Sequence, residues 1–337
     1  MDNWQLRRRD FLWAMAGLSG SLIASQLPME KSLAAVRING AGASFPAPLY
    51  TRWFVEYNKI NKNVQVNYQS VGSGAGVKQF MQETVDFGAS DVAMTDEEIK
   101  KVSRGCVMLP VTAGSIVVAY NMPGVNLKLS RQQLADVFLG KITNWNKLGG
   151  PNQDLKVVHR SDGSGTTAVF TKHLDAINGE WRSKVGTDKT VQWPTGIGAK
   201  GNEGVTATIQ QTKGAIGYIE YGYAKTNNLA TAQLQNKAGK YVPATLDSAK
   251  TTLSQVQLPG NLRAFIVDPS GDGSYPIVTY TWILAYKKYP KADVAQSLKS
   301  VFKWAVTEGQ KFSTQLGYVP LPANVVTKVS QAIDTIG

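Results

Sequence analysis

Two long apolar runs constrain this chain more than anything else in it. Residues 107–120 are rich in valine and almost free of charge, and residues 277–286 alternate β-branched and aromatic side chains. Runs of this composition read as strands buried on both faces, which need packed layers above and below. Residues 107–120 are also long enough to pass from one domain into another. The two runs bracket the middle third of the chain. The economical reading is an α/β fold of two lobes joined by two crossovers. Lobe I takes residues 35–118 and 277–337, and lobe II takes residues 119–276. A chain of 337 residues supports two such bodies. A ligand belongs in the cleft between them, at the carboxyl ends of the strands.

Between these runs the chain repeats one unit: apolar strand, small-residue turn, helix. A short strand over residues 36–38 precedes a turn over 39–46, and a helix follows with Leu49, Trp53, Phe54 and Tyr57 on one stripe. Residues 64–68 alternate as a strand, 72–76 form a second glycine turn, and Val77, Phe80 and Met81 mark a helix. A third short strand runs out at Asp91, and the helix near 95–102 opens on Asp96, Glu97 and Glu98, as its dipole favours. Further on, helices are expected over 134–139 and 205–211, strands over 155–158 and 215–219, and a last helix over 294–304. Residues 223–260 read as polar surface connections. Repeated strand–turn–helix units argue a largely parallel sheet.

Residues 160–167, Arg-Ser-Asp-Gly-Ser-Gly-Thr-Thr, are the most telling of these turns. Gly163 and Gly165 let the backbone curl, and Ser164, Thr166 and Thr167 place hydroxyls at a helix start. Free N–H groups and the positive dipole end of a first helical turn hold anions well. Arg160 adds a planar, permanently charged donor fork. The turns at 40–46 and 72–76 share this pattern of glycine, hydroxyl and helix. One such turn is an ordinary cap; three of them, with Arg160 and Asp91, point to a small oxyanion.

The amino terminus reads as an export leader. Residues 7–9 are all arginine, an apolar small-residue run covers 11–27, Pro28 closes it, and Ser32-Leu33-Ala34 offers a cleavage site. Arg8-Arg9-Asp10-Phe11-Leu12 resembles a twin-arginine signal, a receptor-read address. The run falls short of the ~20 apolar residues that span a bilayer comfortably, so cleavage is expected, with the mature chain starting near Ala35. No cysteine stands at the cut for lipid attachment. The formal charge of +12 falls only to +11 without the leader, so the basic balance belongs to the mature protein. It is scattered, so nucleic acid is not an expected partner; steering of an anionic ligand is. One cysteine, Cys106, and two histidines, His159 and His173, leave no disulfide and no expected metal site or cofactor.

Catalytic patterns fit poorly. A hydrolase elbow, Gly-x-Ser-x-Gly, fails at Ser164, where Asp162 takes the first glycine position, and at Ser73, where Val71 does. Residues 72–78 resemble a phosphate loop, but Gln79 stands where a hydroxyl should hold magnesium. His159 should point away from Ser161 on its strand. No enzyme activity is expected.

Three stretches carry a family resemblance: residues 40–50, Gly-Ala-Gly-Ala-Ser-Phe-Pro-Ala-Pro-Leu-Tyr; residues 85–91, Val-Asp-Phe-Gly-Ala-Ser-Asp; and residues 162–166, Asp-Gly-Ser-Gly-Thr. They resemble the hallmark stretches of PstS, the phosphate-binding proteins of bacterial phosphate ABC importers. The likeness runs from about Val36 to the carboxyl terminus and includes residues 140–142 and 214–218. It implies a periplasmic-binding-protein fold of the type II, Venus-flytrap kind, with two hinge crossovers. It implies a periplasmic monomer that takes inorganic phosphate and hands it to permease subunits in the inner membrane.

The resemblance also implies a ligand set. Ser44 stands where the family has threonine, keeping the hydroxyl. The Phe45 N–H and Ser73 are expected to donate to the anion, as are Arg160, Ser164, Gly165 and Thr166. Asp162 is expected to pair with and orient Arg160. Asp91 is expected to accept a proton-bearing oxygen, which phosphate has and sulfate lacks near neutral pH. Other readings stay open at this point: a binder of another oxyanion, with arsenate hardest to separate from phosphate; a phosphate sensor or scavenger uncoupled from transport; or a phosphatase-type enzyme.

Overall fold

The computed structural model describes residues 35–337. The expected leader, residues 1–34, lies outside the described residues. Among the described residues no helix is long and apolar enough to cross a membrane.

The chain opens with β1 (Val36–Gly42), α1 (Ala47–Ile60), β2 (Val64–Ser70), α2 (Ser73–Met81), β3 (Phe87–Ser90), α3 (Asp96–Lys100) and β4 (Cys106–Tyr120). It continues through β5 (Lys128–Leu129), α4 (Arg131–Phe138), β6 (Lys156–Arg160), α5 (Gly165–Ile177), α6 (Gly179–Lys184), β7 (Ile197–Ala199) and α7 (Gly201–Gln211). Next come β8 (Ala215–Glu220), α8 (Tyr221–Thr226), β9 (Ala230–Thr231), β10 (Gln233–Gln235), β11 (Tyr241–Val242) and α9 (Leu246–Ser254). The chain closes with β12 (Val278–Tyr286), α10 (Ala292–Val306) and α11 (Ala323–Asp334).

The main sheet runs β2-β1-β3-β12-β4-β8-β6-β7. β1 pairs in parallel with β2 and β3, and β6 pairs in parallel with β7 and β8. Between these parallel triplets lie β12 and β4, antiparallel to each other and to their outer neighbours. The expected long runs are therefore the two central strands. β4 pairs with β12 up to Ser115 and with β8 from Ile116 to Tyr120, so one strand serves both halves. Its burial on both faces matches its apolar composition. The register between β4 and β12 slips at Thr281/Trp282, a bulge that bends the shared strand pair.

Each half has its own aromatic core. In the first, Trp53, Phe54, Phe87 and Phe302 are buried, with Phe87 edge-on to Phe302 at 5.5 Å. In the second, Phe170 stacks on Tyr218 at 4.4 Å and Trp193 on Tyr218 at 5.5 Å. Burying each such ring is worth roughly 1.5–3 kcal/mol, with aromatic pairing adding to it.

Several boundaries differ from the sequence reading. β1 runs on through Gly42, because Gly40 and Gly42 lie against the Phe87 ring and the Ala89 backbone, where no Cβ fits. Their glycines mark close approach within a strand rather than a turn. α2 begins at Ser73, so the glycines at 74 and 76 are helical; only Gly72, at φ +88°, makes the bend. Residues 223–260 are not plain surface connection. They hold part of α8, the short strands β9, β10 and β11, the last two forming a small sheet with β5, and α9, whose Thr245–Ser248 capping box was masked by polar composition. Buried Ala249, Thr252 and Leu253 give α9 too weak an apolar stripe to read by period. α11 also escaped the sequence reading, although Val325, Val329 and Ile333 fall at helical spacing.

Candidate functional site

The carboxyl end of β6 delivers Arg160 into a buried cluster, and the turn that follows starts α5. Ser164 caps that helix: its Oγ accepts from the Thr167 N–H at 3.0 Å, leaving its own proton to donate elsewhere. Gly165 and Thr166 are the first two helical residues, so their N–H groups face forward from the dipole end. Arg160 is 3% exposed and forks onto Asp162, with Nε to Oδ1 at 2.7 Å and Nη2 to Oδ2 at 2.5 Å. Its Nη1 is buried and has no hydrogen-bond partner among the described residues. A buried donor of this kind costs about 1–3 kcal/mol unless something accepts from it. Burial pushes the Asp162 carboxyl up, yet bonds and charge from Arg160, with the Gly201 N–H at 3.0 Å, hold it below the usual carboxylate range.

The facing half supplies Ser44, Phe45, Ser73 and Asp91, all buried. Ser44 and Phe45 sit between β1 and α1, and Tyr318 fixes that loop through a bond to the Phe45 carbonyl at 2.7 Å. Ser73 opens α2, and its Oγ accepts from the Asp91 N–H at 3.2 Å. Asp91 follows β3 directly. Its Oδ1 accepts from Thr281 Oγ1 at 2.8 Å, and Thr166 Oγ1 stands 3.5 Å from its Oδ2. Burial pushes the Asp91 carboxyl up to about 7, against the Thr281 bond and the Arg160 charge, which oppose it.

Of the residues expected at the site, Ser44, Ser73, Asp91, Gly165 and Thr166 come together here, with Arg160 and Asp162 paired beside them and Phe45 and Ser164 next to them in the chain. The Gly74 N–H donates to the Gly163 carbonyl at 2.8 Å, joining two of the expected turns directly. A Cβ added at Gly165 would lie 2.5 Å from Ser73 Oγ and 2.8 Å from Asp91 Oδ2. The two halves thus touch one another here, with hydroxyls from both and the Asp91 carboxylate in direct contact. Beside Asp91 the cleft opens into a cavity of about 480 Å³ whose walls include Val169 and Lys172 from α5 and Ile266 and Trp282 opposite.

Four contributors were not read from the sequence. Asn202, at the start of α7, bonds to Ser44 and Thr166. Thr281 supports Asp91 from the bulge in β12. Tyr223 donates to the Ser44 carbonyl at 2.7 Å, and Tyr318 to that of Phe45. The run Lys200-Gly201-Asn202-Glu203, a glycine and an Asx residue before an apolar-periodic segment, was the available signal for Asn202. Thr281 was visible only as a hydroxyl inside an apolar run.

The histidines play no part in this cluster. His159 stacks on Trp193 at 4.9 Å, as a strand residue facing away from the turn, and His173 is buried, its pKa lowered to about 4 by burial. Cys106 is half-buried at the start of β4, and burial raises its thiol to about 12. Among the described residues no group of three His, Cys, Asp or Glu could hold a metal ion.

Residues 30–308 match the model of the PBP superfamily domain. The chain is 42% identical to a phosphate-binding protein PstS of Pasteurella multocida over 306 residues, 87% of this chain and 88% of that one. A PstS of Haemophilus influenzae is also 42% identical, over 87% of this chain and 91% of its own length. One of Xylella fastidiosa is 38% identical over 93% and 89%. Among solved structures, a high-affinity periplasmic phosphate-binding protein with bound phosphate superposes with a TM-score of 0.73 at 21% identity, over 88% of this chain and 93% of that one. A phosphate-binding protein of Stenotrophomonas maltophilia gives 0.71 at 20%, over 88% and 94%. At these identities the structural likeness is one of fold: the two-lobed α/β architecture expected from the two central strands, in the binding-protein form that the resemblance implied.

Proposed function

Because the chain belongs to the PstS phosphate-binding proteins of the PBP superfamily, we propose that it captures inorganic phosphate in its interlobe cleft, outside the cytoplasm, and delivers it to an ABC importer. Lobe I comprises residues 35–118 and 277–337, and lobe II residues 119–276. Ser44, the Phe45 N–H, Ser73, Arg160, Ser164, Gly165 and Thr166 donate to the phosphate oxygens. Asp162 holds the arginine flat and shares its charge, so aimed dipoles carry much of the anion's stabilisation. Closure of the lobes about the β4–β12 pair completes the set.

The observation that carries this reading is the pairing of two groups. Arg160 Nη1 is a buried donor with no acceptor among the described residues, and Asp91 is a buried carboxyl that feels the arginine's charge. A fully ionised anion satisfies the first and repels the second. Hydrogen phosphate satisfies both, since it accepts from the arginine and donates its proton to the carboxylate. A charge-assisted bond gained in one case and a carboxylate facing a bare anion in the other differ by several kcal/mol, at least ~100-fold in affinity. Selectivity against sulfate is thus built by repulsion as much as by attraction.

The protein acts as a binding protein and not as an enzyme in this reading, working as a monomer with inner-membrane permease subunits and without nucleic acid. Residues 1–34 act as a cleaved leader read by the twin-arginine route, placing the mature protein in the periplasm. Calorimetric titration of the mature protein with phosphate, sulfate and arsenate tests the site. Tight phosphate binding with sulfate at least ~100-fold weaker is expected; equal affinities would overturn the role given to Asp91. Co-purification with the permease separates transport from a sensing or scavenging role.

A further inference from the structure

We infer that Asn202 is the positioning residue of this site: it commits the Ser44 hydroxyl to donate into the cleft, holds the Thr166 hydroxyl beside it, and latches the two lobes together. The donor half of this inference rests on the phosphate reading above; the latch does not.

Asn202 is fully buried at the start of α7. Its backbone N–H donates to Ser44 Oγ at 3.0 Å, and its Nδ2 donates to the same oxygen at 2.9 Å and to Thr166 Oγ1 at 3.2 Å. Its Oδ1 accepts from the Glu220 N–H at 2.9 Å. That last bond settles which way the amide faces, since a flipped amide would set an N–H against an N–H. The amide nitrogen therefore has to face the two hydroxyls.

A hydroxyl has one proton and two lone pairs. Both lone pairs of Ser44 are taken by N–H donors from Asn202, so the oxygen can add a partner only by giving its proton. Thr166 has one lone pair taken, with Asp91 Oδ2 3.5 Å away as an alternative acceptor. An anion that only accepts needs hydroxyls turned toward it in this sense. A hydroxyl free to rotate would offer a lone pair part of the time, and its ordering would weaken binding. The adjacent residue adds to this, since the Gly201 N–H donates to Asp162, which holds Arg160. One helix start thereby orders a hydroxyl from each lobe and the arginine's partner.

Ser44 lies in the first half of the chain, whereas Asn202 and Thr166 lie in the second. The two bonds from Asn202 to Ser44 can exist only when the lobes are closed. They differ from a core bond in this respect, for they contribute to the closed state and not to the folding of either lobe.

The test is a double-mutant cycle with Asn202→Ala, Ser44→Ala and the pair, each titrated with phosphate by calorimetry. Asn202→Ala is expected to weaken binding ~10–100-fold, and the double variant to be little worse than the weaker single one, because Asn202 acts through Ser44. Asn202→Asp keeps the acceptor for Glu220 but faces the hydroxyls with a carboxylate, and it should bind more weakly than Asn202→Ala. Wild-type affinity in either single Asn202 variant, or full additivity in the cycle, overturns the donor role. A lowered melting temperature with unchanged phosphate affinity marks Asn202 as merely structural and also overturns it. Should the wild-type protein bind no phosphate, the phosphate reading falls separately. The latch is then judged by small-angle scattering of the ligand-free protein, where Asn202→Ala must expand the particle and an unchanged profile overturns it.

Discussion

Asp91 meets two opposing demands. In the role proposed for it, it must be buried to reject water and a second anion, and it must stay able to accept a proton. Burial lifts its carboxyl to about 7, and Thr281 and the Arg160 charge keep it from rising further. Above that pH the group is a carboxylate that requires a proton-bearing ligand. Below it the group is a neutral acid, which can itself donate. Its folded pKa is raised, so the acceptor role is lost as pH falls. Sulfate is therefore expected to gain affinity relative to phosphate between pH 8 and pH 5, approaching it as Asp91 protonates; a constant ratio across that range would count against the mechanism. Asp91→Asn, whose amide can donate at every pH, should show the narrowed ratio already at pH 8 and no further dependence. Competition titrations at both pH values read both effects.

At the scale of elements, the site is a meeting of helix starts with strand ends. α2 and α5 both begin at the cleft and approach so closely that glycine is required between them. A methyl group at Gly165 would strike Ser73 Oγ and Asp91, both in the opposite half. Gly165→Ala is expected to leave the fold intact, since alanine suits a helix better than glycine by about 1 kcal/mol. The same substitution should block closure and weaken phosphate at least ~100-fold by the affinity arithmetic of a few lost bonds. The readout is a pair of melting temperatures: that of the ligand-free variant should match or exceed wild type, and the rise on adding phosphate should disappear. Thr281 belongs at this scale as well, because the bulge in β12 coincides with the residue that supports Asp91.

For the whole molecule, a net charge of +12 could suggest that surface electrostatics bind the anion. The cleft argues otherwise, since the contacts are buried and excess charge lies scattered outside. Buried contacts are screened far less than exposed ones, whose reach shrinks from about 30 Å at 0.01 M salt to 3 Å at 1 M. Raising ionic strength is expected to slow phosphate association while leaving the Kd within a few-fold. A steep dependence of Kd on salt would place the ligand at the surface and sink the closed-cleft mechanism. The same closure should make the particle more compact on adding phosphate, with β4 and β12 as the shared axis.

Much of this was legible in the chain because local chemistry expresses it. The apolar content of residues 107–120 and 277–286 demanded central strands whatever the rest did. The order of glycine, hydroxyl and helix former at 160–167 defined a capped helix start by its own backbone needs, and Arg160 and Asp162 are close enough in sequence to pair. Where glycine served close packing, as at Gly40, or where a helix such as α9 lacked an apolar stripe, local pattern misled, because the deciding neighbour was far along the chain. What only the tertiary structure decided is which groups face one another across the cleft. Asn202 lies 158 residues from Ser44, and Thr281 190 residues from Asp91. The sequence by itself pointed to a small oxyanion at helix starts between two lobes. Whether each hydroxyl gives or accepts, and how far burial lifts Asp91, depends on contacts made once the lobes are packed together, since hydrogen-bond direction and desolvation are properties of surroundings rather than of residues.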